Sequence, residues 1–282
     1  MANIRVIPRL DIKGPNLVKG IHLEGLRVLG RPEDFAQYYY EQGADELMYM
    51  DVVASLYERN SLHDIISKTA RRTFIPLTVG GGIRTLEDIK SVLRAGADKV
   101  CINTAAIRNP SIIKEASLKF GSSTIVVAIE AIKQPDGTYL AYVDNGREHT
   151  GIEVLSWAKK VEELGAGELV VTSVDKEGTG GGYDCELTKL ISTNVSIPVI
   201  AHGGPGALKD LGLVLTEGKA DALAVASILH YDYIKKKEHT MHDRKEGNIE
   251  FLKSNRSFQK ITTAGIVEIK EYLLANHFDC RH

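Results

Sequence analysis

Short apolar segments rich in β-branched side chains alternate along the chain with longer segments of mixed polarity. The first of them, Ile4–Ile12, is typical of a β-strand, and the turn residues Gly14 and Pro15 follow it. The alternation continues to a last predicted helix near Gly265–Ala275 and gives eight strand–helix units. Eight such units predict the α/β class and a single (β/α)8 TIM barrel.

The connections between the predicted strands differ in length. We expect a long loop after the first strand, a polar hairpin over 134–147, and a polar insertion over 231–260 that enlarges the last β/α loop at the catalytic face. No linker divides the sequence, so we expect one domain over residues 1–282. The predicted strands are Ile4–Ile12, Glu46–Val53, Ile75–Val79, Lys99–Asn103, Thr124–Glu130, Glu168–Val174, Pro198–Ala201 and Ala222–Ala226.

The two halves of the chain resemble each other. Gly43–Leu47 recurs as Gly165–Leu169, and Thr78–Ile83 recurs as Ile200–Pro205, at a separation of about 122 residues. Nearly the same separation relates Asp11 to Glu130. The repeat therefore predicts a barrel of two similar halves with these two acids on opposite sides.

Composition and charge exclude several classes of protein. The net charge of −2 gives no electrostatic case for nucleic-acid binding. No apolar run approaches the roughly 18 residues of a membrane span. The sequence begins with a strand instead of a signal peptide, and its three scattered cysteines predict no disulfide framework. We therefore expect a cytoplasmic protein.

Asp11 and Glu130 are the candidate catalytic residues. Both lie at the end of a predicted strand, and barrel enzymes carry their chemistry at the carboxyl ends of their strands. Two carboxyl groups that face one cavity can divide acid and base roles, because each changes the proton affinity of the other. The alternative is that each acid only pairs with a nearby cation such as Arg9 or Lys19.

Two symmetric sets of small residues are candidate phosphate sites. Glycine-rich strand ends that lead into helices leave backbone N–H groups free to approach an anion. Two such sets across one barrel mouth indicate a ligand with a phosphate at each end, although the glycines could serve only to make tight turns. The sets are Gly81, Gly82, Asn103 and Thr104 in the first half, and Gly178, Gly203, Gly204, Ala226 and Ser227 in the second.

A third group of residues lies at the other end of the predicted strands. Arg5, Glu46, Lys99 and Glu168 each begin a strand, and their parity is that of inward-facing residues. Two positive and two negative charges can satisfy one another there, and the residues alone favour a plug that closes the core. We expect no cofactor and no metal: His239 and His242 have the spacing of ligands but lack a third partner.

Taken together, these motifs make the sequence similar to the cyclase subunit of imidazole glycerol phosphate synthase, the HisF-like family. The resemblance runs from Ile4 to about Ser227 and resumes in the last helix. Its motifs are Leu10–Lys13, Val18–Gly20, Gly43–Leu47, Thr78–Arg84, Gly96–Val100, Phe120–Ser122, Gly165–Glu168 and Gly182–Asp184.

The resemblance implies an enzyme supplied with ammonia. A HisH-like glutaminase subunit would dock at the barrel base to form a heterodimer, with Asp98 as a docking residue. The ring of Arg5, Glu46, Lys99 and Glu168 would then be the ammonia gate, and Asp11 and Glu130 the catalytic pair. The resemblance also implies substrate contacts by Lys19, Thr172 and Glu177.

Departures from the family pattern predict a changed substrate. Glu130 and Glu177 stand where the family has Asp, and Arg9 stands where it usually has Cys. Residues 8–27 together with 247–253 look more like the HisF-like paralogues of bacterial surface-polysaccharide clusters. We therefore expect amidation of a phosphorylated or nucleotide-linked sugar. The alternatives are the cyclase reaction of histidine biosynthesis, which closes an imidazole ring on a bis-phosphorylated ribulosyl substrate, and a non-enzymatic role as an activator of the glutaminase.

Overall fold

Eight parallel strands close into a barrel in a computed structural model of the chain, which describes residues 3–54, 62–237 and 260–281. Each strand pairs with the next, and the last pairs back with the first through Arg5 and Ala222. The predicted (β/α)8 TIM barrel is therefore confirmed. The barrel strands are β1 (Arg5–Lys13), β4 (Leu47–Asp51), β5 (Leu77–Gly80), β6 (Lys99–Ile102), β7 (Ile125–Lys133), β10 (Glu168–Ser173), β11 (Val199–His202) and β12 (Ala222–Val225).

The helices pack around the barrel and cover the outer face of its strands. Within the described ranges, no helix is long and apolar enough to cross a lipid bilayer. The helices are α1 (Pro32–Glu41), α2 (His63–Ala70), α3 (Leu86–Ala95), α4 (Thr104–Arg108), α5 (Ser111–Phe120), α6 (Val154–Glu163), α7 (Cys185–Ser192), α8 (Leu208–Thr216), α9 (Ser227–Lys237) and α10 (Ile266–Ala275).

A β-hairpin follows the first barrel strand of each half. In the first half, β2 (Asn16–Ile21) and β3 (Glu24–Gly30) extend β1 as an antiparallel meander. In the second half, β8 (Tyr139–Val143) and β9 (Glu148–Glu153) extend β7 in the same way. The expectation of a long loop after the first strand is therefore wrong. The turn residues that follow the first strand lead into a hairpin instead. Because each half carries such a hairpin, the repeat of the two halves extends beyond the barrel strands.

The last β/α connection begins as a helix. The first seven residues of the predicted polar insertion over 231–260 are helical, since α9 runs to Lys237, and the insertion as a whole stays a prediction. Tyr233 and Ile234 are buried against the core, so this stretch has an apolar face. The neighbouring lysines make the same stretch polar on average, which is why the sequence pattern does not show that face. The rest of the proposed insertion lies largely outside the described residues, which resume at Lys260.

Two separate apolar cores hold the fold. The larger fills the space between the strands and the helices, and each fully buried Leu, Ile or Val contributes about 1.5–3 kcal/mol. The smaller lies inside the barrel and fills the middle of its bore. Its members are Ile7, Met48, Cys101, Val126, Ala128, Val170, Ile200, Ala222 and Ala224.

Aspartates fasten the barrel strands to one another at the base. The carboxylate of Asp45 accepts the backbone N–H of Val6 at 2.8 Å. Asp98 accepts that of Leu77, and Asp221 that of Val199, both at 2.8 Å. Each aspartate follows an alanine just before a strand, so the Ala–Asp repeat seen in the sequence serves to register neighbouring strands.

Candidate active site

Four charged side chains form a closed ring at the base of the bore. Arg5 Nη1 lies 2.6 Å from Glu46 Oε1 and 3.1 Å from Glu168 Oε1. Lys99 Nζ lies 3.1 Å from Glu46 Oε2 and 2.9 Å from Glu168 Oε1. Each cation therefore contacts both acids, as the parity of these residues predicted. The role of the ring as a gate stays a prediction.

Above this ring the bore is apolar, and above the apolar section a buried cation crosses it. Arg5, Ile7 and Arg9 follow one another on the inward face of β1. Arg9 is only 3% exposed. Its Nε donates to Asp11 Oδ1 at 2.9 Å. The counter-charge of this inward-facing arginine is therefore Asp11, two residues further along the same strand.

Arg9 also reaches two other strands of the barrel, β10 and β11. Its Nη1 lies 3.3 Å from Thr172 Oγ1 on β10 and 3.0 Å from His202 Nδ1 on β11. A guanidinium only donates, so His202 accepts through Nδ1. Burial, with the nearby cations Arg9 and Lys19, holds the pKa of His202 well below its usual range. The imidazole is therefore neutral and fixes the guanidinium without repelling it.

Glu130 stands on β7, across the barrel from β1. Its Oε2 accepts the N–H of Gly146, in the turn of the second hairpin, at 2.7 Å. Burial raises the pKa of Glu130 to about 7, against the opposing effects of Arg9, the Gly146 N–H and the Asn103 side chain. A carboxyl group with a pKa near neutrality can both give and take a proton at physiological pH, which suits acid–base chemistry.

Asp11 and Glu130 occupy equivalent places in the two halves. Asp11 pairs with Val18 at the start of the first hairpin, and Glu130 pairs with Tyr142 in the second. Both carboxyl groups are buried, and Arg9 lies between them, bonded to Asp11 and close enough to lower the pKa of Glu130. The structure thus brings the two predicted acids together, while their catalytic role stays a prediction.

An open cavity of about 220 Å³ lies at the mouth of the first half. The four residues predicted there, Gly81, Gly82, Asn103 and Thr104, line it, and Arg9 and Glu130 also contribute to its wall. The buried Oδ1 of Asn103 accepts no hydrogen bond from the described residues. A bound molecule with an N–H or O–H group could supply one.

Sequence reasoning missed two cations of this cavity, Arg84 and Arg108. Arg108 ends the short helix α4, which the sequence analysis did not predict, and lies 2.9 Å from Asp144 and 3.1 Å from Glu148. Arg84 lies two residues after Gly82, and this nearness to the glycine motif was the available signal. Arg84 makes the open cavity more favourable for an anion, whereas the charge of Arg108 is offset by its two carboxylate partners.

The second predicted phosphate site is almost filled by the protein itself. A cavity of only about 10 Å³ remains among Lys19, Gly178, Gly203, Gly204, Ala226, Ser227 and their neighbours. Lys19 on β2 pairs with Glu177, whose other carboxylate oxygen accepts the N–H of Leu23 at 2.9 Å. The first hairpin therefore folds over this site. Thr172 is fully buried at the end of β10 and contacts Arg9, and its predicted substrate contact stays a prediction.

Two remaining predictions concern the surface and metals. Asp98 is exposed at the barrel base as expected, but its carboxylate also fastens β5. Among the described residues no group of three or more His, Cys, Asp or Glu is arranged to hold a metal ion. His239 and His242 lie outside the described residues.

Fold and site together define a class: a TIM-barrel enzyme with a charged ring at the base of its bore, and two buried acids and an open glycine-lined cavity at its mouth. The family model described as "Histidine biosynthesis protein" matches residues 5–235. The chain belongs to this family, and it is an enzyme similar to the imidazole glycerol phosphate synthases.

Several curated relatives carry that name. The chain is 57% identical over 210 residues to the imidazole glycerol phosphate synthase subunit HisF of Legionella pneumophila, covering 74% of this chain and 99% of the relative. It is 50% identical to the same subunit of Trichormus variabilis, over 82% of this chain and 91% of the relative. The subunit of Methanocaldococcus jannaschii is also 50% identical, with 82% and 92% covered.

These names support the cyclase reaction of histidine biosynthesis, which the sequence analysis gave as an alternative, better than the amidation of a sugar, which it gave first. The relatives are named for the synthase, whereas the amidation of a polysaccharide sugar finds no support in them. The HisF-like resemblance is confirmed by the family match. A closeness to the polysaccharide-cluster paralogues within that family stays a prediction.

Proposed function

We propose that this chain is the ammonia-using synthase subunit of a glutamine-dependent enzyme, and that it closes an imidazole ring on a bis-phosphorylated ribulosyl aminoimidazole-carboxamide. The names of the relatives support the reaction. The single observation that carries the mechanism is the order of groups along the bore. A charged ring, an apolar section and two acids beside an anion cavity follow one another from base to mouth.

That order suits the transfer of ammonia. The apolar section favours neutral ammonia over ammonium, because burial of an unpaired charge is costly. Rearrangement of the ring at the base would admit ammonia. Each of its four charged side chains contacts two opposite charges, so it can give up one contact while it keeps the other. At the mouth, Asp11 and Glu130 would shuttle protons while one phosphate of the substrate occupies the open glycine-lined cavity of the first half. The second glycine-lined site would take the other phosphate only after the first hairpin moves off it.

A partner glutaminase at the base completes the proposal. A cavity of about 360 Å³ opens there, lined by Phe74, Pro76, Asp98 and their neighbours. Phe74 is 79% exposed, and an exposed aromatic side chain beside a cavity is a common interface anchor. The proposal includes Asp98 in the docking face, and a variant such as Asp98→Lys must also be checked for loss of the bond to Leu77.

The test is an assay of the purified chain with the bis-phosphorylated ribotide and ammonium salt. Release of the carboxamide ribotide is the measured signal. We expect turnover with ammonium salt alone, and with glutamine only after a glutaminase is added. Asp11→Asn serves as the control, because loss of a general acid or base costs about 10²–10⁴-fold in rate. Absence of turnover by a folded chain would rule out ring closure on this substrate.

A second candidate, amidation of a sugar, is favoured by one observation. The guanidinium of Arg9 fills the position next to Asp11 and alters the shape and charge of the mouth. A different carbonyl compound, phosphorylated or nucleotide-linked, would then take the place of the ribotide. Turnover of such a sugar together with inertness towards the ribotide would select this candidate.

A further inference from the structure

Arg9 is the one cation held at the boundary between the apolar bore and the open cavity, among the residues that the structure describes. Ile7, one inward position below it on β1, belongs to the apolar section. Arg9 itself lines the cavity together with Glu130. Anything that leaves the bore to react in the cavity therefore passes this guanidinium.

The guanidinium is fixed on one side and available on the other. Its Nε donates to Asp11, and its Nη1 faces Thr172 and His202. A guanidinium carries five N–H donors, and the two on Nη2 make no hydrogen bond to any residue of the described ranges. Three side chains from three strands thus set the orientation of a guanidinium that lines the cavity and keeps two donors without a partner among the described residues.

We propose that Arg9 is a catalytic residue that donates through Nη2 to the substrate's carbonyl oxygen and stabilises the negative charge formed there when ammonia adds. This inference rests on the proposed function, because it assumes attack by ammonia on a carbonyl carbon at the mouth. In that step the nitrogen lone pair forms the new C–N bond and the carbonyl π pair moves onto oxygen. The surplus proton on nitrogen passes to the Asp11 carboxylate, and the oxyanion remains beside Arg9.

The environment of Arg9 suits this role better than that of a structural plug. A donor fixed before the reaction lowers the barrier without a cost of reorganisation at the moment of bond formation. The neutral His202 and the hydroxyl of Thr172 hold Nη1 without neutralising the guanidinium. Asp11 offsets the charge in the resting state, and it becomes neutral as it takes the proton, which leaves the full positive charge for the oxyanion.

The first experiment measures turnover of the ribotide by the full chain with ammonium salt. For Arg9→Met we expect a loss of about 10²–10³-fold in kcat with little change in KM, as is typical when an oxyanion donor is removed. Arg9→Gln, which keeps a hydrogen bond to Asp11 without the charge, is expected to lose the same factor and serves if the Met variant does not fold. An unchanged or higher kcat in a folded variant would overturn the proposal.

The second experiment measures binding and needs no turnover. The probes are 5-phosphoribonate and ribitol 5-phosphate. They differ only at the end away from the phosphate, where the first has a carboxylate and the second a hydroxymethyl group. We expect the wild-type chain to bind 5-phosphoribonate at least about tenfold more tightly. Arg9→Met should abolish this preference while the affinity for ribitol 5-phosphate is kept.

Arg108→Met is the matched control for binding. Arg108 lines the same cavity but lies at its rim and is largely exposed. Its loss should weaken both probes by a similar small factor and leave the preference intact. If the wild-type chain shows no preference, or if Arg9→Met retains it, the proposal is overturned. If the preference behaves as expected while the ribotide is not converted, Arg9 keeps its assignment and the proposed ring closure fails.

Discussion

The two halves of the barrel mouth have the same backbone arrangement but differ in the volume of the cavity that it encloses. In the first half, Gly81 and Gly82 border an open cavity of about 220 Å³. In the second half, Gly203 and Gly204 border a space of about 10 Å³. The glycines are equivalent in the internal repeat, so the difference arises from the side chains and hairpins around them.

The first hairpin accounts for most of this difference. It folds across the mouth onto the second half, where Lys19 pairs with Glu177 and the N–H of His22 donates to the carbonyl of Glu177 at 2.9 Å. The second hairpin does not close over the first half in the same way. Its Gly146 binds Glu130, and its Asn145 donates to the carbonyl of Leu23 at 2.9 Å. A repeated barrel can thus hold one site open and one closed.

The buried pair of Lys19 and Glu177 gives the largest expected effect. Lys19→Met would leave the Glu177 carboxylate buried without its cation, which costs about 3–5 kcal/mol in free energy of unfolding. The double variant Lys19→Met/Glu177→Gln should regain most of that loss, because no buried charge remains. Urea denaturation of the four members of this cycle measures both effects.

A matched control is Lys133→Met, since Lys133 also pairs with a glutamate but at an exposed site. Little change is expected there. If Lys19→Met were as harmless as Lys133→Met, the second half would not be held closed by its ion pair, and the contrast between the halves would need another cause.

The barrel and the basal ring could be predicted because both depend on local pattern. Strand parity placed Arg5 and Glu46 inside the bore, and the spacing of the repeat placed Glu130 opposite Asp11. Arg9 shares the parity of Arg5 on the first strand, so its inward orientation follows from the same alternation. Parity could not reveal that Arg9 reaches Thr172 and His202, because those partners lie 163 and 193 residues away and the contact depends on the closed barrel.

Two other features were beyond local pattern for a similar reason. The glycines of the first hairpin indicate a loop as readily as a tight antiparallel turn, so its closure over Glu177 is visible only in the folded chain. Sequence reasoning likewise gave Thr172 as a substrate contact, and its contact with Arg9 on the far side of the sequence is visible only in the folded chain. Both cases turn on contacts between halves that the sequence separates widely.

The pH dependence of stability tests the open cavity, whose wall includes Glu130. Burial raises the pKa of Glu130 to about 7, above its unfolded value of 4.5. The folded state therefore takes up a proton more readily, and the stability gained from this is fully present below pH 4.5 and lost as pH rises through 7. Relative to Glu130→Gln, the wild-type chain should lose on the order of 3 kcal/mol across that window.

Denaturation of both proteins at a series of pH values measures this loss, and Glu130→Asp, which keeps a carboxyl group, should retain the pH dependence. Parallel curves for the wild type and Glu130→Gln would mean that the carboxyl group is better solvated than its burial indicates. The open cavity would then extend further towards the bore than the closed one does.

The smallest effect compares one glycine from each half. A Cβ on Gly81 would lie 2.3 Å from the carbonyl oxygen of Asp51, and one on Gly203 would lie 2.8 Å from that of Ser173. Both glycines have positive φ, 97° and 92°, so alanine is strained at either position. We expect each alanine variant to lose about 1–3 kcal/mol, with the larger loss at Gly81, where the contact is closer. Thermal denaturation measures the difference, and a larger loss at Gly203 would show that the closed half tolerates less displacement than the open half despite its looser contact.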